Sequence, residues 1–172
     1  MEFRILGPLE VVEAGRPLTL GGPRQRALLA ILLTRANEVV SNDRLIDGLW
    51  GARPPRTATN ALQYHVSQLR KTLGPSKAIV TREPGYLIRV GPHELDLLRF
   101  EQLVAEARQA PADHASRLLH DALSLWRGPA LADLAVAKAR SHYLPWRLEG
   151  PHMLWELCVR ARASGAGAAV FR

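Results

Sequence analysis

Cysteine is almost missing from these 172 residues: Cys158 stands alone. One thiol makes neither an internal disulfide nor a cysteine-pair metal site, and its apolar neighbours Leu154, Trp155, Leu157 and Val159 mark it as buried and inert. Long apolar runs are missing too. None approaches the ~18 residues of a membrane span, and Met1-Glu2-Phe3-Arg4 opens no secretory signal, so a cytoplasmic protein without a membrane partner is expected. The chain also lacks a Gly-x-Ser-x-Gly elbow, a phosphate loop ending in Gly-Lys-Ser/Thr and a His-Glu-x-x-His helix. His65, His93, His114, His120, His142 and His152 are scattered without ligand spacing. Asp43 and Asp47 lie one helical turn apart, but paired carboxylates need a cleft to act as acid and base, and Asp43 is explained by a helix start. The expectation is therefore no enzyme, no metal and no cofactor.

What the chain does have is basic charge, formally +7 with a pI near 10.5. Residues 1–92 carry 13 Lys/Arg against 7 Asp/Glu, whereas residues 93–172 carry 10 against 9. The excess is concentrated between Gly51 and Arg89, where Arg53, Arg56, Arg70, Lys71, Lys77, Arg82 and Arg89 face only Glu83. A local basic patch points to a polyanion more strongly than net charge does.

Phe3 and Ile5, then Leu9 and Val11, then Leu18 and Leu20 alternate with polar residues across Gly7-Pro8 and Ala14-Gly15, which predicts a small antiparallel sheet. Pro23 suits a first helical position, and Ala27, Leu28, Ile31 and Leu32 recur at helical spacing up to Arg35. Ser41 is a good N-cap for a second helix that runs to Trp50 and stops at Gly51. After the stiff Gly51-Ala52-Arg53-Pro54-Pro55 loop, a third helix spans Thr57 to Leu73 and ends at Gly74-Pro75. Ile79 to Arg82 and Tyr86 to Val90 then form a hairpin, with Pro84-Gly85 read as the centre of a type II turn. Beyond Gly91-Pro92 two amphipathic helices are expected, Asp96 to Gln109 and Asp113 to Trp126, followed by helical pieces broken at Pro145 and Gly150-Pro151 and by a frayed small-residue tail.

The third helix carries the functional signal. Leu62, Val66, Leu69 and Leu73 fall at i, i+4, i+7 and i+11, with Ala58 and His65 beside them, and define the packed face. The opposite stripe holds Asn60, Gln63, Tyr64, Ser67, Arg70 and Lys71, and the helix contains no acidic residue. An ordinary solvent face mixes Glu with Lys. Amides pair with adenine edges, arginine with guanine edges, and hydroxyls and cations with phosphates, so this stripe suits the DNA major groove. Three helices followed by a hairpin with Arg82 at its base give the order of a winged helix-turn-helix. Arg53, Arg56 and Thr57, just ahead of the helix, join the expected DNA contacts.

At these residues the sequence resembles the Streptomyces antibiotic regulatory proteins. The resemblance rests on Phe3-Arg4-Ile5-Leu6-Gly7-Pro8, Pro23-Arg24-Gln25-Arg26-Ala27-Leu28-Leu29, Leu45 to Gly51 with Pro54-Pro55, Val66 to Gly74, and Gly85-Tyr86. It implies an OmpR-type winged-helix domain over residues 1–92, without a phosphorylatable receiver domain, and a bacterial transcriptional activation domain of tetratricopeptide-like helices over 96–172. Family members activate secondary-metabolite gene clusters by binding direct repeats at promoters and recruiting RNA polymerase. Arg70 and Lys71 match the basic pair that ends the recognition helix, and Arg53-Pro54-Pro55 matches the loop that faces polymerase. Docking as a dimer or side by side on repeated sites is expected. The resemblance continues through Phe100 to Val104 and Ala122 to Asp133 and then weakens, so a shortened activation domain is expected, with Leu154, Trp155 and Leu157 lacking neighbours to cover them. The alternative function is a helical interaction module that binds DNA or partners without activating transcription.

Overall fold

The computed structural model describes residues 1–74 and 79–134. The expected roles of Pro75, Lys77, Pro145, Gly150-Pro151, Leu154, Trp155, Leu157 and Cys158, and of the small-residue tail, concern positions outside the described residues.

The chain opens with the antiparallel sheet β1 (Glu2–Arg4), β2 (Glu10–Glu13) and β3 (Arg16–Pro17). Phe3 pairs with Val11, and both side chains are buried. Ala14 and Gly15 both have positive φ, 49° and 77°, the geometry of the two-residue turn that fits the twist of a hairpin. The third strand differs from the expected Leu18–Leu20. It stops at Pro17, which has no N–H to extend the ladder, although Leu18 N–H still donates to Val11 O at 2.8 Å.

α1 (Pro23–Thr34) begins on its proline and is buried all round, with every residue from Ala27 to Leu33 at most 1% exposed. The single expected face was too narrow, because α1 packs on helices and sheet from several sides and needs no polar stripe along that run. β4 (Val40–Ser41) leads straight into α2 (Asn42–Trp50), where Ser41 Oγ accepts from Arg44 N–H and Gly51, with φ 60°, closes the helix by donating to Asp47 O. α3 (Ala58–Thr72) packs across α1 and α2 through Leu62, Val66 and Leu69. The hairpin β5 (Ile79–Arg82) and β6 (Gly85–Ile88) completes the winged unit, with β6 lying between β4 and β5.

Two details of the wing depart from expectation. β4 has no sequence signature, since two residues are too few to show alternation. The turn is centred on Glu83-Pro84, and Gly85 is already the strand partner of Arg82. Gly85 serves close approach instead of turn freedom: a Cβ there would run into the Val40 carbonyl of β4.

α4 (Asp96–Gln109) and α5 (Ala112–Ser124) form an antiparallel pair, burying Leu97, Phe100, Val104 and Ala107 with Ala115, Leu118, Leu119 and Ala122. Trp126 caps the pair edge-on to Phe100, 5.8 Å between centroids. One apolar core runs continuously from Phe3 through α1 into α4 and α5. Each fully buried leucine in it is worth about 1.5–3 kcal/mol relative to exposure.

Polar contacts lock the sheet to the helical pair. Asp96 accepts Ile5 N–H on both oxygens and Leu6 N–H on one, all at 2.9 Å. Arg127 pairs with Glu10 at 2.8 Å and donates to Pro8 O, while Asp133 accepts from Leu9 N–H and pairs with Arg26 of α1. The pairing lies far apart in sequence and carries no local pattern.

Candidate nucleic-acid interface

α3 is held by one apolar edge and leaves the other to solvent. Leu62, Val66, Leu69 and the following Leu73 are at most 2% exposed, whereas Asn60, Gln63, Tyr64, Ser67, Arg70 and Lys71 are all exposed. The predicted stripe therefore forms one continuous surface. Tyr64 is 58% exposed and presents its ring and hydroxyl on this surface. Thr59, also exposed and one turn before Gln63, belongs to the same surface and is absent from the expected set. Its spacing to Gln63 and Ser67 is the signal that would have found it.

Arg53, Pro54, Pro55, Arg56 and Thr57 are exposed on the loop that enters α3. Trp50 O accepts from Arg53 N–H at 3.4 Å, so the loop turns away directly at the end of α2. Thr57 makes no side-chain cap bond, leaving its hydroxyl available. Among the described residues no carboxylate pairs with Arg53, Arg56, Lys71 or Arg82, and α3 itself bears none. Arg82 lies beside the turn at the tip of β5, not at the base of the hairpin as expected, because the turn is centred on Glu83-Pro84, and there it extends the positive surface onto the wing.

Arg70 stands apart from the other members. Its Nε donates to Ile79 O at 3.0 Å, one terminal nitrogen donates to Thr81 Oγ1 at 2.9 Å, and the guanidinium lies 5.8 Å from the Tyr86 ring centroid. Three groups of the wing thus hold one side chain of α3, and only its remaining nitrogen is uncommitted. Arg70 fixes the angle between helix and wing before any ligand arrives.

On the other edge of α3, His65 is half-buried between Tyr64 and Trp50, at 5.6 and 6.3 Å between ring centroids. Its Nδ1 has no hydrogen-bond partner among the described residues. Burial, assisted by the Arg24 cation, holds its pKa below the ordinary histidine value, so the ring stays neutral. That agrees with the packed role expected for His65.

Two family models match the chain: "Transcriptional regulatory protein, C terminal" over residues 15–88 and "Bacterial transcriptional activator domain" over residues 95–165. The chain belongs to the Streptomyces antibiotic regulatory protein family. Within it, the regulatory protein AfsR of Streptomyces coelicolor is 38% identical over 157 residues, covering 87% of this chain and 16% of AfsR. The regulatory protein DnrI of Streptomyces peucetius is 34% identical over 148 residues, covering 78% and 54%. The solved structure of Mycobacterium tuberculosis EmbR in complex with a low affinity phosphopeptide superposes with TM-score 0.76 at 35% identity, over 94% of this chain and 43% of that one. The chain thus spans between about a sixth and about half of these relatives. The winged helix followed by a helical region is the architecture of the family, and among the described residues no helix is long and apolar enough to cross a membrane.

Proposed function

We propose that this chain is a sequence-specific DNA-binding transcriptional activator, acting in the cytoplasm on a secondary-metabolite gene cluster. α3 enters the major groove at promoter direct repeats, and copies dock as a dimer or side by side. Asn60, Gln63, Tyr64 and Ser67 face base edges, while Arg53, Arg56, Thr57, Lys71 and Arg82 meet phosphates and Arg70 sets the wing. Residues 1–92 serve as the DNA-binding unit and 96–172 as the activation unit. The exposed Arg53-Pro54-Pro55 loop is the contact to RNA polymerase. The observation that carries this reading is the carboxylate-free polar face of α3, bordered on the loop and the wing by cations that no carboxylate among the described residues pairs with.

The test is a footprint and a run-off transcription assay on DNA upstream of the neighbouring genes. Protection over spaced repeats and a rise in transcript are expected. Arg53→Ala combined with Pro54→Ala should lower the transcript severalfold more than it lowers DNA affinity. Protection without any rise in transcript would remove activation and leave the DNA-binding interaction module.

A further inference from the structure

A helix lying in the major groove, about 12 Å wide, has a phosphate backbone on each side. On α3 the wing lies at one edge, where Arg70 and Arg82 sit. At 3.6 residues per turn, Tyr64 and His65 fall on the opposite edge of the stripe. Lys71 shares the line of Tyr64 but lies two turns further along the helix, so beside Tyr64 and His65 α3 itself carries no cation.

The chain supplies one from another helix. Arg24, in the first turn of α1, places its guanidinium 5.9 Å from the centroid of Trp50, and Trp50 in turn borders His65, which borders Tyr64. Arg24 is exposed, and among the described residues no carboxylate pairs with it and no acceptor takes its N–H groups. A guanidinium held near an indole by cation–π attraction, with its N–H groups unused, keeps those donors for an arriving anion. A planar cation with its donors unused is suited to two-point contact with phosphate oxygens.

Resting on the DNA-binding reading of α3, we propose that Arg24, seated on Trp50, is a phosphate anchor gripping the DNA backbone on the side of α3 away from the wing. The duplex is then held at both edges of the groove. Arg24 reads no base, so its contribution is the same on every sequence.

The experiment measures the affinity of the full chain for a labelled mixed-sequence duplex across a series of salt concentrations, for wild type, Arg24→Gln, Arg24→Lys and Arg108→Gln. Affinity of the wild type should fall linearly with salt on logarithmic axes as counterions are released. Arg24→Gln should lower that slope by about one, Arg24→Lys should restore it, and Arg108→Gln on α4 should leave it unchanged. Melting temperatures of all four should agree closely. A slope for Arg24→Gln equal to wild type overturns the anchor, and so does a lowered melting temperature with an intact slope, which would make Arg24 only a cover for Trp50. Failure of the wild type to bind any duplex would overturn the DNA-binding reading itself.

Discussion

Replacing Arg70 by alanine is expected to weaken binding to a promoter repeat by about 1 to 3 kcal/mol, a factor of roughly 5 to 150. The reason lies in its contacts with the wing. Ile79 O and Thr81 Oγ1 each lose a donor, and the Tyr86 ring loses its cation. β5 and β6 are then tied to α3 mainly by packing, so the wing samples a wider range of angles and each productive encounter carries an added ordering cost. Arg70→Lys should rescue poorly, because a single ammonium does not reproduce the planar fork that reaches both acceptors. Faster amide hydrogen exchange in 79–88 should accompany the loss. The loss should also be similar on repeat and non-repeat DNA. If it were confined to one base position and exchange were unchanged, Arg70 would be a base reader and not a brace.

Replacing Asp96 by alanine should cost about 2 to 4 kcal/mol of stability, since two buried backbone N–H groups, of Ile5 and Leu6, lose their acceptor together. For a chain of this size that is a fall in melting temperature of roughly 5 to 15 °C. Asparagine keeps one acceptor oxygen and should recover part of it. Burial raises the Asp96 pKa more than the backbone donors and Arg127 lower it. A group whose folded pKa is raised contributes stability in acid that is lost as the pH rises through that pKa. Asp96→Asn is uncharged throughout, so its deficit against wild type should shrink on going from acid to neutral pH. A deficit that widens over that range would mean that the ionised carboxylate is favoured in the folded state. The location of Asp96 gives the result a wider meaning: it ties the segment just after β1 to the start of α4, and weakening it should loosen the helical pair from the winged unit.

Most of the winged unit was legible because its signals are local. Pro23, Ser41, Gly51 and the 3.6-residue spacing from Leu62 to Leu73 mark helices within a few residues of themselves, and the structure follows them. The surface of α3 was legible for the same reason, since a buried stripe defines its own opposite. What could not be read depended on distant partners. Leu29, Ala30 and Leu33 are buried because α1 is surrounded, β4 exists because β6 lies beside it, and Gly85 is small because Val40 comes close. The bonds of Arg70 to the wing were not legible, because nothing in α3 announces that Thr81 and Ile79 will take its donors. Arg24 gave no sign at all, for its place beside α3 is set by Trp50, 26 positions further along the chain.

The direct test of α3 as a reading helix is selection from a randomised duplex library, carried out in parallel with wild type and Gln63→Ala. Wild type should enrich a repeated motif, and Gln63→Ala should retain the motif while losing preference at one base pair, a discrimination of about 1–3 kcal/mol. No enrichment by the wild type, or an identical motif from the variant at every position, would contradict a role for Gln63 in base recognition, and the first result would remove sequence reading by α3 altogether.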